Sequence, residues 1–170
     1  MLIAWATLPT WKNHKGSHVL RVGTYYPSHV PRKNKMKVLI VDDDIIVRES
    51  LAKVLRKKGY EPLLAADGIE AFERYKQDRP DLVLLDIDMP RQSGWVTLEK
   101  ISKFKPIAPV IIITGLPNQC DRAAAAHIRA LMLKPLDVPL LIRVVEQSIE
   151  DPICKKFDQL HPRPRLQDLS

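Results

Sequence analysis

The chain has 170 residues, 45% of them hydrophobic, and a formal net charge of +7. That is one ordinary domain with short extensions, and the apolar share supports a packed core. No apolar run approaches the roughly 20 residues of a membrane span, which excludes membrane insertion as an expectation. Met1–Leu8 is apolar but short, with no basic region before it, and reads poorly as a signal peptide. Residues 1–35 carry Lys12, Lys15, Arg21, Arg32, Lys33 and Lys35 with no acid, whereas acids and bases balance from Met36 to Glu150. The arm shows neither helical nor strand periodicity. It reads as disordered and basic, or as a mis-called extension upstream of a start at Met36. From there, Val38–Val41 is a doubly buried strand, and Val47, Leu51, Val54 and Leu55 recur at helical spacing up to the cap Gly59. Tyr60–Ala65 is a second strand, Gly68–Gln77 a helix, and Leu82–Leu85 a third strand ending on Asp86. Gly94–Lys105 is helical until Pro106, Val110–Thr114 is a fourth strand, and Asn118–His127 is an Ala-rich helix. Ala130–Leu133 is the fifth strand, and Val138–Ile149 is an amphipathic helix capped by Asp137. The domain thus runs over 36–150, and 151–170 is an irregular, Pro-containing tail. Cys120 and Cys154 make neither a metal-spaced pair nor a disulfide framework, as expected for free thiols in the cytoplasm.

Strands alternating with helices imply an α/β fold: a flavodoxin-like, five-stranded parallel sheet of order 2-1-3-4-5 with helices on both faces. Ligands then sit beyond the carboxyl ends of the strands. Asp42-Asp43-Asp44, Asp86, Thr114 and Lys134 stand at those ends. Carboxylates gathered there repel one another unless a cation intervenes, and a hard divalent ion with oxygen ligands resolves the conflict. Lys134 adds a compact positive charge and Thr114 a hydroxyl donor. The set describes a phosphate site around a carboxylate nucleophile. Taken singly, each piece has a plainer reading. An acidic run is usually a solvated loop, Asp44 caps the next helix, Lys134-Pro135 is a turn, and Thr114 is a good strand residue. The combination at successive strand ends carries the argument.

The segments VLIVDDD (38–44), LVLLDIDMPRQSGW (82–95), IIITG (111–115) and LKPLD (133–137) resemble the signatures of response-regulator receiver domains. The resemblance implies that Asp42, Asp43 and Asp86 hold Mg²⁺ or Mn²⁺, with the backbone carbonyl of Asp88 completing the shell. It makes Asp86 the phosphoacceptor, with Thr114 and Lys134 following the phosphoryl oxygens, and it implies a cis Lys134–Pro135 bond. The implied donor is a phosphohistidine on a sensor histidine kinase or a histidine phosphotransfer protein. The implied output is a downstream protein bound on the face of the fourth helix, fifth strand and last helix, including Leu131 and Leu133. Catalysis is then limited to the chain's own phosphorylation and dephosphorylation.

Departures from that pattern are specific. Leu131 stands at the switch position where the family has Phe or Tyr, and His127-Ile128 stand where it has Gly-Ala. The interval from Thr114 to Lys134 is about two residues shorter than usual, so the fourth helix is short or its entry tight. Gly115 leaves the site open, and Asp88 has a side chain able to orient an attacking water. Four rivals remain. Asp86-Ile87-Asp88 superficially fits the DxD of haloacid-dehalogenase-type phosphatases, but Met89-Pro90 follow it and it lies on the third strand. A flavin or nucleotide binder needs a Gly-rich loop where acids stand after Val41. A phosphorylation-independent adaptor is favoured only by Leu131. A DNA-binding regulator needs a helix-turn-helix that neither arm has, so no specific DNA binding is expected.

Overall fold

The computed structural model describes residues 35–90, 92–105, 108–116, 119 and 128–150, and the backbone of 11–12 and 18–21. Its strands are β1 (Trp11–Lys12), β2 (His18–Arg21), β3 (Lys37–Val41), β4 (Glu61–Ala65), β5 (Leu82–Asp86), β6 (Val110–Thr114) and β7 (Ala130–Leu133). Its described helices are α1 (Ile45–Lys57), α2 (Gly68–Asp78), α3 (Gly94–Phe104) and α4 (Val138–Glu150). The sheet order is β1-β2-β7-β6-β5-β3-β4. Strands β3 to β7 are mutually parallel and follow the expected 2-1-3-4-5 order.

Why the strand sequences read as continuous apolar runs is visible in their alternation. Val38, Ile40, Leu82, Leu84, Ile111, Ile113, Ala130 and Met132 face one core, beneath Leu51, Ala52 and Leu55 of α1 and Leu141 and Val145 of α4. Leu39, Val41, Val83, Leu85, Val110, Ile112 and Leu131 face the other, beneath Ala71 and Tyr75 of α2 and Trp95, Leu98 and Ile101 of α3. Both pleat faces are covered, so no polar position interrupts the pattern.

Helix ends follow local chemistry. Asp44 Oδ1 accepts from Ile46 N–H, Asp67 Oδ1 from Ile69 and Glu70 N–H, and Asp137 Oδ1 from Leu140 N–H. Each satisfies amide groups left over in a first turn. Helix α1 ends in a Schellman arrangement: Tyr60 N–H donates to Leu55 O, Gly59 N–H to Arg56 O, and Gly59 takes φ +87°. The Lys134–Pro135 bond is cis.

Two expectations change. The arm is not irregular throughout: β1 pairs with β2, and β2 lies antiparallel on β7, with Val19 opposite Met132 and Arg21 opposite Ala130. The outer strand of a five-stranded sheet leaves a row of unpaired backbone groups, and a short extended segment satisfies them. Leu131 is 2% exposed and packs in the core, so it offers no contact surface to a partner in this state. Of the predicted helix over 118–127 only Gln119 falls within the described residues; His127 and the tail 151–170 lie outside them. Among the described residues no helix is long and apolar enough to cross a membrane.

Candidate functional site

The carboxyl ends of β3 and β5 place two acids side by side. Asp42 follows the last residue of β3 and Asp86 ends β5, each 2% exposed. The parallel ladder between these strands brings Val41 opposite Leu85, so the residues after them are neighbours by register. Asp43 is exposed at the same turn, and one carboxylate oxygen from each of Asp42, Asp43 and Asp86 can lie within 4.8 Å of the others.

Lys134, directly after β7, reaches across to this cluster. Its ammonium donates to Asp86 Oδ2 at 2.6 Å and to Asp42 Oδ2 at 3.0 Å. One cation is shared between two buried anions, and the protonation energetics reflect that imbalance. Burial pushes the Asp42 carboxyl above the ordinary aspartate value, despite hydrogen bonds from Lys134 and from the Asp44 amide. Burial also works against the charge on Lys134, but hydrogen bonds to Asp86 and Asp42 and their negative charges outweigh it and raise its pKa. Lys134 is doubly compensated and Asp42 only in part. A further cation would relieve that deficit, and three carboxylate oxygens at this spacing suit a hard ion that takes oxygen ligands and keeps several waters. The donor set therefore fits the implied metal.

On the other side of Asp86 stands the hydroxyl. Thr114, fully buried at the end of β6, donates to Asp88 Oδ2 at 2.9 Å and accepts from Leu116 N–H at 3.0 Å. Asp88 Oδ2 also accepts from Gly115 N–H at 2.9 Å, and Asp88 N–H donates to Asp86 Oδ1 at 2.9 Å. All six acid, hydroxyl and ammonium residues expected at the site are thus gathered at one rim. Leu131 lies beneath it, in the core.

Several contributors escaped the sequence reading. Arg48 on α1 donates through its guanidinium to the backbone carbonyl of Asp42 and ties that turn to the helix. Gly94 opens α3 directly against the Asp86 backbone: a Cβ built there would stand 2.2 Å from Asp86 O and 2.7 Å from Ile87 Cα. Gln92 donates to Thr97 Oγ1 at 3.0 Å and accepts from Lys100 at 3.2 Å, bracing the loop between β5 and α3. Only Gly94 left a sequence signal, a glycine just after the cap Ser93 and close to Asp86.

Comparison with known proteins agrees with this arrangement. Residues 38–158 match the model of the response regulator receiver domain. The transcriptional regulatory protein PdtaR of Mycobacterium tuberculosis is 37% identical over 123 residues, which cover 71% of this chain and 58% of that protein. The chain thus spans little more than half the length of that relative. A CheY-like receiver domain protein from Methanospirillum hungatei superposes with a TM-score of 0.67 at 27% identity, covering 72% of this chain and 98% of that one. The response regulator TrrA from Thermotoga maritima, solved in complex with Mg²⁺ and BeF, superposes with a TM-score of 0.61 at 31% identity, covering 66% and 98%. The family match spans most of the chain and includes every residue of the acid–hydroxyl–ammonium rim: the chain belongs to the response regulator receiver domain family.

Proposed function

We propose that this chain is a phosphoacceptor switch of a two-component phosphorelay in the cytoplasm, receiving a phosphoryl group on Asp86 and altering the binding of a partner protein. The observation that carries this reading is the Lys134 ammonium held on Asp86 and Asp42 within a three-carboxylate cluster. In the transfer, an Asp86 carboxylate oxygen forms a bond to phosphorus as the P–N bond of a phosphohistidine breaks. The imidazole leaves with the electron pair and takes its proton from solvent. Asp42, Asp43, Asp86 and the Asp88 carbonyl would hold Mg²⁺ or Mn²⁺, which supplies charge neutralisation on the phosphoryl oxygens when bound. Lys134 orients those oxygens and Thr114 offers them a proton. Positioning and electrostatics are the main demands of such a transfer. Modification then adds about 1.5–2 negative charges at Asp86, and the ends of β6 and β7 respond through Thr114 and Lys134.

The same end of the molecule carries exposed apolar side chains: Ile45 and Ile46 at the start of α1, Ile69 at the start of α2, and Leu116 after β6. Exposed apolar side chains at the end that carries the charged cluster suit docking of a donor protein, a sensor histidine kinase or a phosphotransfer protein, more than a free small molecule. The deciding experiment is intact mass after incubation with acetyl phosphate or phosphoramidate and Mg²⁺. One phosphoryl group is expected on wild type and none on Asp86→Asn. No adduct together with no Mg²⁺ binding supports the adaptor reading instead, and sustained turnover of a small phosphate ester supports the phosphatase reading.

A further inference from the structure

A hydroxyl has one proton to donate, and that of Thr114 is committed to Asp88 Oδ2. Its acceptor side is used by Leu116 N–H. The same Asp88 oxygen takes Gly115 N–H, so a single carboxylate oxygen ties the exit of β6, side chain and backbone together, to the exit of β5. Asp88 is itself fixed on the acceptor, since its amide donates to Asp86 Oδ1. A phosphoryl oxygen on Asp86 can receive the Thr114 proton only after the bond to Asp88 breaks. Asp88 is an exposed, acceptor-only group, so a new anion on Asp86 would repel the carboxylate it displaces.

From this geometry we infer that Asp88 is a positioning residue that latches Thr114 in the unphosphorylated chain and thereby sets how readily the switch turns. This rests on the phosphoacceptor reading of Asp86. The latch is a hydroxyl-to-carboxylate bond, of the stronger, charge-assisted kind. Its loss should favour the phosphorylated arrangement by about tenfold. Replacement by Asn keeps an acceptor for Thr114 and Gly115 but removes the charge, so it should weaken the latch without abolishing it.

The test uses the full chain titrated with beryllium fluoride in the presence of Mg²⁺, followed by NMR of the methyl groups of Leu131, Met132 and Leu133. Wild type, Asp88→Ala, Asp88→Asn, Thr114→Val and the Asp88→Ala/Thr114→Val double variant are compared. Asp88→Ala leaves the backbone carbonyl in place. It should saturate at about tenfold lower concentration than wild type, with Asp88→Asn between the two. The Asp88→Ala gain should vanish in the Thr114→Val background, where there is no hydroxyl to release. A gain that persists undiminished there means Asp88 acts only by repulsion, and the latch is wrong. Normal saturation of wild type with no gain in Asp88→Ala also overturns it, while leaving the phosphoacceptor intact. No response in any variant removes both readings together.

Discussion

The rim of the sheet has two halves that are held in different ways. On the acid side, Asp42 and Asp86 are each 2% exposed at the ends of β3 and β5, strands paired on both edges, and Lys134 clamps the two. On the hydroxyl side, Thr114 is equally buried, but what holds it is Asp88, an exposed residue in a loop, together with the exposed Gly115 and Leu116. The acid half focuses charge, which needs a rigid, poorly solvated frame. In the proposed switch the hydroxyl half answers a change of charge, and a bond to an exposed carboxylate is easily exchanged for another.

The largest expected break in this contrast is Lys134→Ala. It leaves Asp42 and Asp86 buried without their shared cation, and should cost about 2–3 kcal/mol in metal-free protein, less than a fully buried pair because 32% of the Lys134 side chain is exposed. Mg²⁺ should restore more stability to this variant than it adds to wild type; urea denaturation with and without the ion checks both, and equal Mg²⁺ effects would contradict the clamp. Gly94→Ala comes next. Its methyl would collide with Asp86 O, so a loss of about 2 kcal/mol is expected, with slower phosphoryl uptake, because the colliding atoms are backbone and cannot rotate away.

A smaller effect concerns pH. Asp42 has its pKa raised in the folded chain, so the folded state holds that proton more tightly than the unfolded one. Its contribution to metal-free stability is therefore present at low pH and lost as pH rises through the folded pKa. Mg²⁺ competes with the same proton, so Mg²⁺ affinity should fall as pH is lowered through that value. Calorimetric titrations over a series from about pH 7.5 down to about pH 4 read this directly. An affinity that stays flat over the whole series would mean Asp42 does not take part in binding.

The smallest expected effect sharpens the hydroxyl side. Lys134 N–H donates to Thr114 O. Because strand amides alternate sides, those of Ala130 and Met132 face β6, and that of Leu131 points to the edge covered by β2, opposite Leu20. A chain beginning at Met36 should exchange the Leu131 amide roughly fivefold faster, while amides of β3 and β5 stay unchanged. Unaltered exchange at Leu131 would show that the arm contributes nothing to that edge.

Much of this was readable from one chain. The five parallel strands announced themselves as apolar runs because both faces are buried, and the caps Asp44, Asp137 and Gly59 because amide satisfaction at helix ends is a local matter. The site was legible for a related reason: in a parallel sheet the last residue of each strand falls on one rim, so position along a strand predicts position in space for Asp42, Asp86, Thr114 and Lys134. The arm was not legible, since pairing of His18–Arg21 with Ala130–Leu133 joins segments distant in sequence, and a four-residue stretch carries no usable period.

The residue types and their order determined the fold class, the caps and which side chains meet at the rim, because each follows from backbone hydrogen bonding and side-chain period. Only the tertiary structure decided how those side chains share their bonds. It put one ammonium between two buried carboxylates and gave the Thr114 proton to Asp88 rather than to Asp86. It also pressed Gly94 against the Asp86 backbone and turned Leu131 into the core. Those outcomes depend on ångström-scale distances between separate elements, which packing sets and linear spacing does not encode.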